Sequence, residues 1–125
     1  KKWLTENNVA TNEIKIHDGS GLSRLDFLTP EALGRALVFA SQSKFAEVFR
    51  NSLPVAGTDG TLRGRLGNVS GKIAAKTGSI TYVNALAGYA NNQKETIAFV
   101  ILCNNETRKA DSSIIIDAIA SSFIN

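Results

Sequence analysis

Three extended segments in succession between residues 72 and 103 leave few folds open to this chain. They are Lys72–Ser79, Thr81–Ala90 and Glu95–Cys103. The third contains the unbroken apolar run Ile97–Leu102, which is typical of a strand covered on both faces. Asn91-Asn92-Gln93-Lys94, between the last two segments, has the residue types of a tight turn, so a hairpin is expected. These segments predict a three-stranded antiparallel sheet.

Helical patterns surround this block. Thr29-Pro30-Glu31 is a helix start, with a hydroxyl at the N-cap, proline at the first helical position and an acid in the first turn. Apolar residues that repeat every fourth position predict a terminal helix over residues 107–123. Weaker patterns predict a helix end at residues 1–9, a strand at Glu13–His17, a short helix around Phe45–Phe49 and a long loop at residues 54–71. The predicted fold class is α+β, an antiparallel sheet covered by helices.

Size and composition exclude several classes of protein. The chain has 125 residues, which suits one domain. Its net charge of +3 comes from scattered basic residues, so a nucleic-acid-binding domain is the least favoured alternative. No apolar run reaches the roughly 18 residues of a transmembrane helix.

The metal-binding and targeting signals are equally sparse. With one cysteine, Cys103, and one histidine, His17, we expect neither an internal disulfide nor a zinc site of the usual kind, and no metal or cofactor is predicted. The first residues, Lys1–Asn8, lack the apolar region of a signal peptide. The chain is therefore expected to be cytoplasmic or to lack a targeting segment.

The main candidate for chemistry is Lys76-Thr77-Gly78-Ser79, at the end of the first predicted strand. A lysine and two hydroxyls can bind an anion, and Gly78 lets a ligand backbone approach. The alternative is a strand that simply ends in a turn. A phosphate-binding loop of the Walker type is excluded because it needs glycine directly before the lysine, where this chain has Ala75.

Three segments, taken together and in this order, resemble one family. They are Asp18-Gly19-Ser20-Gly21-Leu22-Ser23-Arg24, Leu53-Pro54-Val55-Ala56-Gly57-Thr58-Asp59-Gly60-Thr61-Leu62-Arg63 and Ala75-Lys76-Thr77-Gly78-Ser79. The combination resembles the C-terminal part of the D-alanyl-D-alanine carboxypeptidase/endopeptidase family typified by penicillin-binding protein 4 (peptidase family S13). The resemblance implies that residues 1–125 are a single partial domain, the C-terminal portion of a serine β-lactamase/penicillin-binding transpeptidase-like domain. It also implies a serine acyl-transfer enzyme that acts on D-Ala-D-Ala peptides of peptidoglycan.

The resemblance also implies what this chain lacks. The family's other catalytic motifs, S-x-x-K and S-x-N, lie upstream of the part that is matched here. Ser41-Gln42-Ser43-Lys44 does fit S-x-x-K, but that chemistry needs the serine at the start of a helix, and Ser41 falls at the end of one. The chain alone is therefore expected to be inactive. The full-length protein is expected to bind the peptidoglycan stem peptide and β-lactams, in the periplasm or elsewhere outside the cytoplasm. A non-catalytic peptidoglycan-binding module with the same groove is the alternative.

The resemblance assigns roles to the lysine motif. Lys76 would supply positive charge and help proton transfer near the nucleophile. Thr77 and Ser79 would hold the terminal carboxylate of the substrate, with Gly78 between them. The backbone N–H of Ser79 would be one of two oxyanion-hole donors.

The first matched segment would line the pocket for the substrate side chain, through Ser20, Leu22 and Arg24. Arg24 suits a carboxylate because guanidinium pairs with carboxylates through two hydrogen bonds. Asp26 stands where asparagine is common in relatives.

Overall fold

The computed structural model describes residues 2–9, 12, 14–106 and 112–124. Within these ranges, four α-helices and three strands follow one another: α1 (Lys2–Glu6), α2 (Pro30–Gln42), α3 (Ala46–Asn51), β1 (Ile73–Ile80), β2 (Val83–Asn91), β3 (Thr96–Asn104) and α4 (Ser112–Ser122). Among the described helices, none has the length and apolar character needed to cross a bilayer. The observed class is α+β, which confirms the prediction.

The sheet is an antiparallel meander in the order β1-β2-β3. Ser79 lies opposite Asn84 in the first pair of strands, and Leu86 lies opposite Ile101 in the second. The predicted hairpin turn is confirmed: the Asn92 side-chain oxygen accepts the backbone N–H groups of Lys94 and Glu95, at 2.9 Å each. The backbone N–H of Asn92 also donates to the Glu95 carbonyl at 3.1 Å, so side-chain and backbone bonds together close the turn.

Helices cover the two faces of the sheet. On one face, Leu86 and Phe99 form the main core with Ile116 of α4. On the other face, the Tyr89 hydroxyl donates to the Leu37 carbonyl of α2 at 2.7 Å. Cover on both faces is why β3 is apolar throughout, as the sequence predicted.

The predicted start of α2 is confirmed. Thr29 has extended backbone dihedrals, and its hydroxyl accepts the N–H of Ala32 at 3.1 Å. This cap satisfies one of the free amide groups of the first turn, and Pro30 follows where it needs no donor. The terminal helix is confirmed over 112–122, while residues 107–111 of the prediction lie outside the described residues.

The strand predicted at Glu13–His17 is wrong. Glu13 lies outside the described residues, and the remainder forms a single bridge between Lys15 and Phe27. The reason is that the next backbone N–H groups, those of His17 and Asp18, bind the side chain of Asp26 instead of a neighbouring strand.

The long loop at 54–71 is ordered around a buried interior. It contains two single-turn 3₁₀ helices, Gly60–Leu62 and Gly67–Val69, and Leu62 is fully buried. Gly57 has a φ of +66°, and a Cβ there would lie 2.8 Å from the Ser70 hydroxyl oxygen, so both backbone conformation and space demand glycine. The loop therefore forms a rigid wall beside β1.

Candidate active site

The outer edge of β1 is open beyond Ala75. The Ile73 carbonyl accepts the N–H of Ala56, and the Ala75 N–H donates to the Pro54 carbonyl, at 2.9 Å each. Backbone groups of alternate strand residues point the same way, so those of Thr77 and Ser79 also point outward. In the described parts of the chain no backbone group pairs with these two. An extended peptide could add to the sheet there.

The side chains of the lysine motif divide between the two faces of the sheet. Thr77 and Ser79 lie on the face covered by α4, and Lys76 and Gly78 lie on the opposite face, because strand residues alternate. The Lys76 side chain is exposed and its Nζ donates to the Thr77 carbonyl at 2.8 Å. This contact holds the ammonium group at the open edge of β1.

Gly78 is not explained by the packing of the chain itself. A Cβ at this position would lie 3.4 Å from the Cβ of Ala85, which is an ordinary contact, and the backbone does not require a positive φ. Close approach of a ligand, as the sequence suggested, stays a prediction.

On the α4 side, the motif borders a cavity of about 340 Å³. The Thr77 hydroxyl is 2.9 Å from the Thr61 hydroxyl of the loop. Asn84, opposite Ser79, donates from Nδ2 to the Ser112 hydroxyl at 2.9 Å, which places the N-terminus of α4 beside the end of β1. The cavity is thus walled by the strand, the 54–71 loop and α4.

Arg65 lines the same cavity, but its charge is already paired. Its Nε donates to one carboxylate oxygen of Asp117 at 3.0 Å and its Nη2 donates to the other at 2.7 Å. Both side chains are at least three-quarters buried, with exposed fractions of 25% for Arg65 and 21% for Asp117. This bidentate pair fastens the 54–71 loop to α4.

The 18–24 segment is held by its own polar side chains. One carboxylate oxygen of Asp18 accepts both the hydroxyl of Ser20 (2.7 Å) and its backbone N–H (2.8 Å), and the Ser20 hydroxyl accepts the N–H of Leu22 (3.1 Å). The two bonds that Ser20 donates, first that of its hydroxyl and then that of its backbone N–H, hold the pKa of Asp18 below its ordinary value of 3.8. Leu22 is 72% exposed, so its apolar side chain is open to a ligand.

The structure brings Arg24 to the end of β1. Its Nη2 lies 3.4 Å from the Thr81 carbonyl, one residue beyond the strand. Arg24 and Ile80 also line one cavity of about 410 Å³. Ser20 is a different case, because its hydrogen bonds stay within its own loop.

Two structurally important residues were given no role by the sequence analysis. One carboxylate oxygen of Asp26 accepts the backbone N–H of His17 at 2.6 Å and that of Asp18 at 3.3 Å. Thr61 contacts Thr77 although the two are 16 positions apart. Both lie in or next to the matched segments, but no spacing rule could have revealed these contacts.

Ser41 lies where the sequence placed it, in the last turn of α2, and its hydroxyl donates to the Val38 carbonyl at 2.7 Å. Lys44 falls beyond the end of the helix, with its Nζ 5.0 Å from the centre of the Phe45 ring. Among the residues that the structure describes, no group of three or more histidine, cysteine, aspartate or glutamate side chains could hold a metal ion.

Known proteins share this arrangement. The fold is that of the penicillin-binding domains. It matches the crystal structure of penicillin-binding protein 4 from Haemophilus influenzae, complexed with a β-lactam, with a TM-score of 0.80 and 28% sequence identity. The match covers 98% of this chain and 30% of that protein's chain. Residues 1–123 match the D-Ala-D-Ala carboxypeptidase 3 (S13) family, and the chain belongs to that family.

Curated relatives are consistent with this assignment. The chain is 39% identical over 112 residues to penicillin-sensitive carboxypeptidase A of Dictyostelium discoideum, and 35% identical over 119 residues to a D-alanyl-D-alanine carboxypeptidase of Actinomadura. These matches cover 82% and 90% of this chain. The chain spans only 21% and 22% of the lengths of those relatives.

Proposed function

We propose that the protein containing this chain is a serine-type D-Ala-D-Ala carboxypeptidase or endopeptidase of peptidoglycan, and that β1 forms the substrate-binding edge of its active site. The observation that carries the proposal is the open edge at Thr77 and Ser79, with the Lys76 ammonium group beside it. A peptide that pairs with this edge would meet a positive charge and two hydroxyls within four residues of the strand, Lys76–Ser79. Family membership and the likeness to a β-lactam-bound structure support the same reading.

The terminal carboxylate of the substrate would be held by the side chains of Thr77 and Ser79. Both lie on one face, two residues apart, so their hydroxyls can donate to the same group. Lys76 would add positive charge from the opposite face. The three side chains would then surround an anion at the edge of the strand.

The backbone N–H of Ser79 would donate to the oxyanion that forms when the scissile carbonyl is attacked. It points outward from β1, which is the direction that this role needs. Loss of one such donor typically slows acyl transfer by roughly 10²–10³-fold. In this proposal the attacking serine and the second oxyanion-hole donor lie in the full-length protein, outside these 125 residues.

The 18–24 segment would recognise the stem-peptide side chain. Leu22 offers an exposed apolar surface, and the guanidinium group of Arg24 would pair with a carboxylate on that side chain. Ser20 would contribute to this pocket by fixing the loop backbone that carries Leu22, since its hydroxyl bonds to Asp18 and accepts the N–H of Leu22. A peptidoglycan substrate also implies a location outside the cytoplasm, and β-lactams would acylate the same site.

The test is labelling of the full-length gene product by a fluorescent penicillin, with and without Lys76→Ala. We expect the wild type to be labelled and the variant to be acylated at least about a hundredfold more slowly, because the positive charge beside the nucleophile is lost. Lys72→Ala is the matched control, since Lys72 is an exposed lysine just before β1 and should leave labelling unchanged.

The outcomes separate the alternatives. Normal labelling of Lys76→Ala would remove Lys76 from its role. A wild-type protein that binds stem peptide without being labelled would instead be a non-catalytic peptidoglycan-binding module. The 125-residue chain alone should not be labelled, and labelling of it that disappears with Ser41→Ala would make Ser41 the nucleophile.

A further inference from the structure

We propose that Thr61 is a positioning residue that orients the Thr77 hydroxyl toward the substrate carboxylate. This inference rests on the function proposed above. The observation behind it is the 2.9 Å contact between the two hydroxyl oxygens, which joins the 54–71 loop to the catalytic strand.

Thr61 is exposed, yet its backbone is held firmly. It lies between Gly60 and the fully buried Leu62 in a 3₁₀ turn. The carboxylate of Asp59, just before the turn, accepts the N–H of Val55 at 2.7 Å. The loop is also hydrogen-bonded to β1 on both sides of Val55. The Thr61 hydroxyl therefore has a fixed position relative to the strand.

The Thr77 hydroxyl has one proton, which it can give to one acceptor at a time. In the structure, the Thr77 hydroxyl donates to the Thr61 hydroxyl. When a carboxylate binds, the Thr77 proton turns to it, and the Thr61 hydroxyl can rotate to donate to the Thr77 oxygen. Each hydroxyl keeps its own proton. The hydrogen bond between the two oxygens remains, but Thr61 is then the donor and Thr77 the acceptor.

This reversal would make Thr77 a better donor. A hydroxyl that accepts a hydrogen bond is polarised and donates more strongly, and the shared contact also restricts the rotamer of Thr77. Hydroxyl donors matter here because Arg65, the cation on the same cavity wall, already has Nε and Nη2 engaged by Asp117. The expected gain is that of one ordinary hydrogen bond, about 3- to 10-fold in binding or rate.

The experiment compares acylation of the full-length gene product by benzylpenicillin and by its methyl ester, which lacks the carboxylate charge. We expect Thr61→Val to slow acylation by the acid by about 3- to 10-fold and to leave the ester nearly unaffected. Thr61→Ser, which keeps the hydroxyl, should restore the wild-type rate. Thr58→Val is the matched control, because the Thr58 hydroxyl bonds to the Ala56 carbonyl within the loop and not to β1.

A second variant separates positioning from a fold defect. In a Thr77→Val background, Thr61→Val should have no further effect, since the hydroxyl that it orients is gone. Equal losses with acid and ester, an undiminished effect in that background, or a wild-type rate for Thr61→Val would overturn the inference while leaving the proposed function intact. A wild-type protein that is not acylated at all would defeat the proposed function, and this inference with it.

Discussion

Single polar atoms set the shape of the candidate side-chain pocket. One carboxylate oxygen of Asp26 accepts the backbone N–H groups of His17 and Asp18. These groups are therefore not available to extend the strand predicted at residues 13–17. An asparagine oxygen can accept the same two bonds. The role of Asp26 is thus to accept hydrogen bonds, and its negative charge is not required for that.

The Asp18 carboxylate gives a pH-dependent prediction at this same loop. Its folded-state pKa is lowered by the bonds from Ser20, so its stabilisation of the loop is present above the unfolded pKa and is lost as pH falls through the lower folded value. We expect the NMR titration midpoint of the Asp18 carboxyl to lie below 3.8 and to rise in Ser20→Ala. An unchanged midpoint in Ser20→Ala would show that the hydroxyl does not stabilise the carboxylate.

Within the elements, β1 keeps its place because β2 approaches it with a glycine. A Cβ on Gly88 would lie 2.2 Å from the Ala74 carbonyl oxygen and 2.5 Å from the Cα of Ala75, just before the lysine motif. We expect Gly88→Ala to lower the free energy of unfolding by about 1–3 kcal/mol, because the backbone of β1 must shift. Urea unfolding measures the change.

Gly64→Ala is the matched control for that prediction. A Cβ at Gly64 meets nothing within 4 Å, and the residue needs no positive φ. The free energy of unfolding of the Gly64→Ala variant should therefore stay close to that of the wild type. If the Gly88 and Gly64 variants unfold at the same urea concentration, the close approach of the two strands does not constrain the sheet.

The elements also show which parts of the structure a sequence can predict. The strands of 72–103 were predicted within about two residues, since alternation and turn residues are local signals. The 13–17 strand failed because its outcome depended on Asp26, a side chain nine residues from His17. The Thr61–Thr77 contact spans 16 positions and arises only from how the loop folds back on β1. The lysine motif itself was predicted from the order of its residues at the end of a strand, but which of its side chains face α4 is seen only in the strand register and the packing.

At the scale of the whole molecule, the sheet brings together segments that are far apart in the sequence. The 18–24 segment reaches the end of β1 through Arg24, and the 54–71 loop contacts Thr77 of the same strand through Thr61, so each matched family segment lies against or within β1. The sheet is therefore a platform that brings distant parts of the sequence together. Its helices hold that platform from both faces and leave its edge strand accessible.

The same architecture leaves apolar surface without cover. On α4, Ile114 and Ile115 are 71% and 63% exposed, and on α3 Val48 is 71% exposed. The outward backbone groups of β3 also have no strand beside them among the described residues. Large exposed apolar side chains and an open strand edge both favour association.

We therefore expect the 125-residue chain, studied by itself, to associate increasingly as its concentration rises. Light scattering coupled to size-exclusion chromatography would show this as a mass above 13.4 kDa. Ile115→Ser and Val48→Ser replace exposed side chains and should shift the mass toward that of the monomer without unfolding the chain, because neither residue belongs to the buried core. Lys94→Ser, in the exposed turn between β2 and β3, is a surface control that should leave association unchanged. A monomer at every concentration tested would show that these surfaces are compatible with water as they stand, and that the sheet needs no further cover to remain soluble.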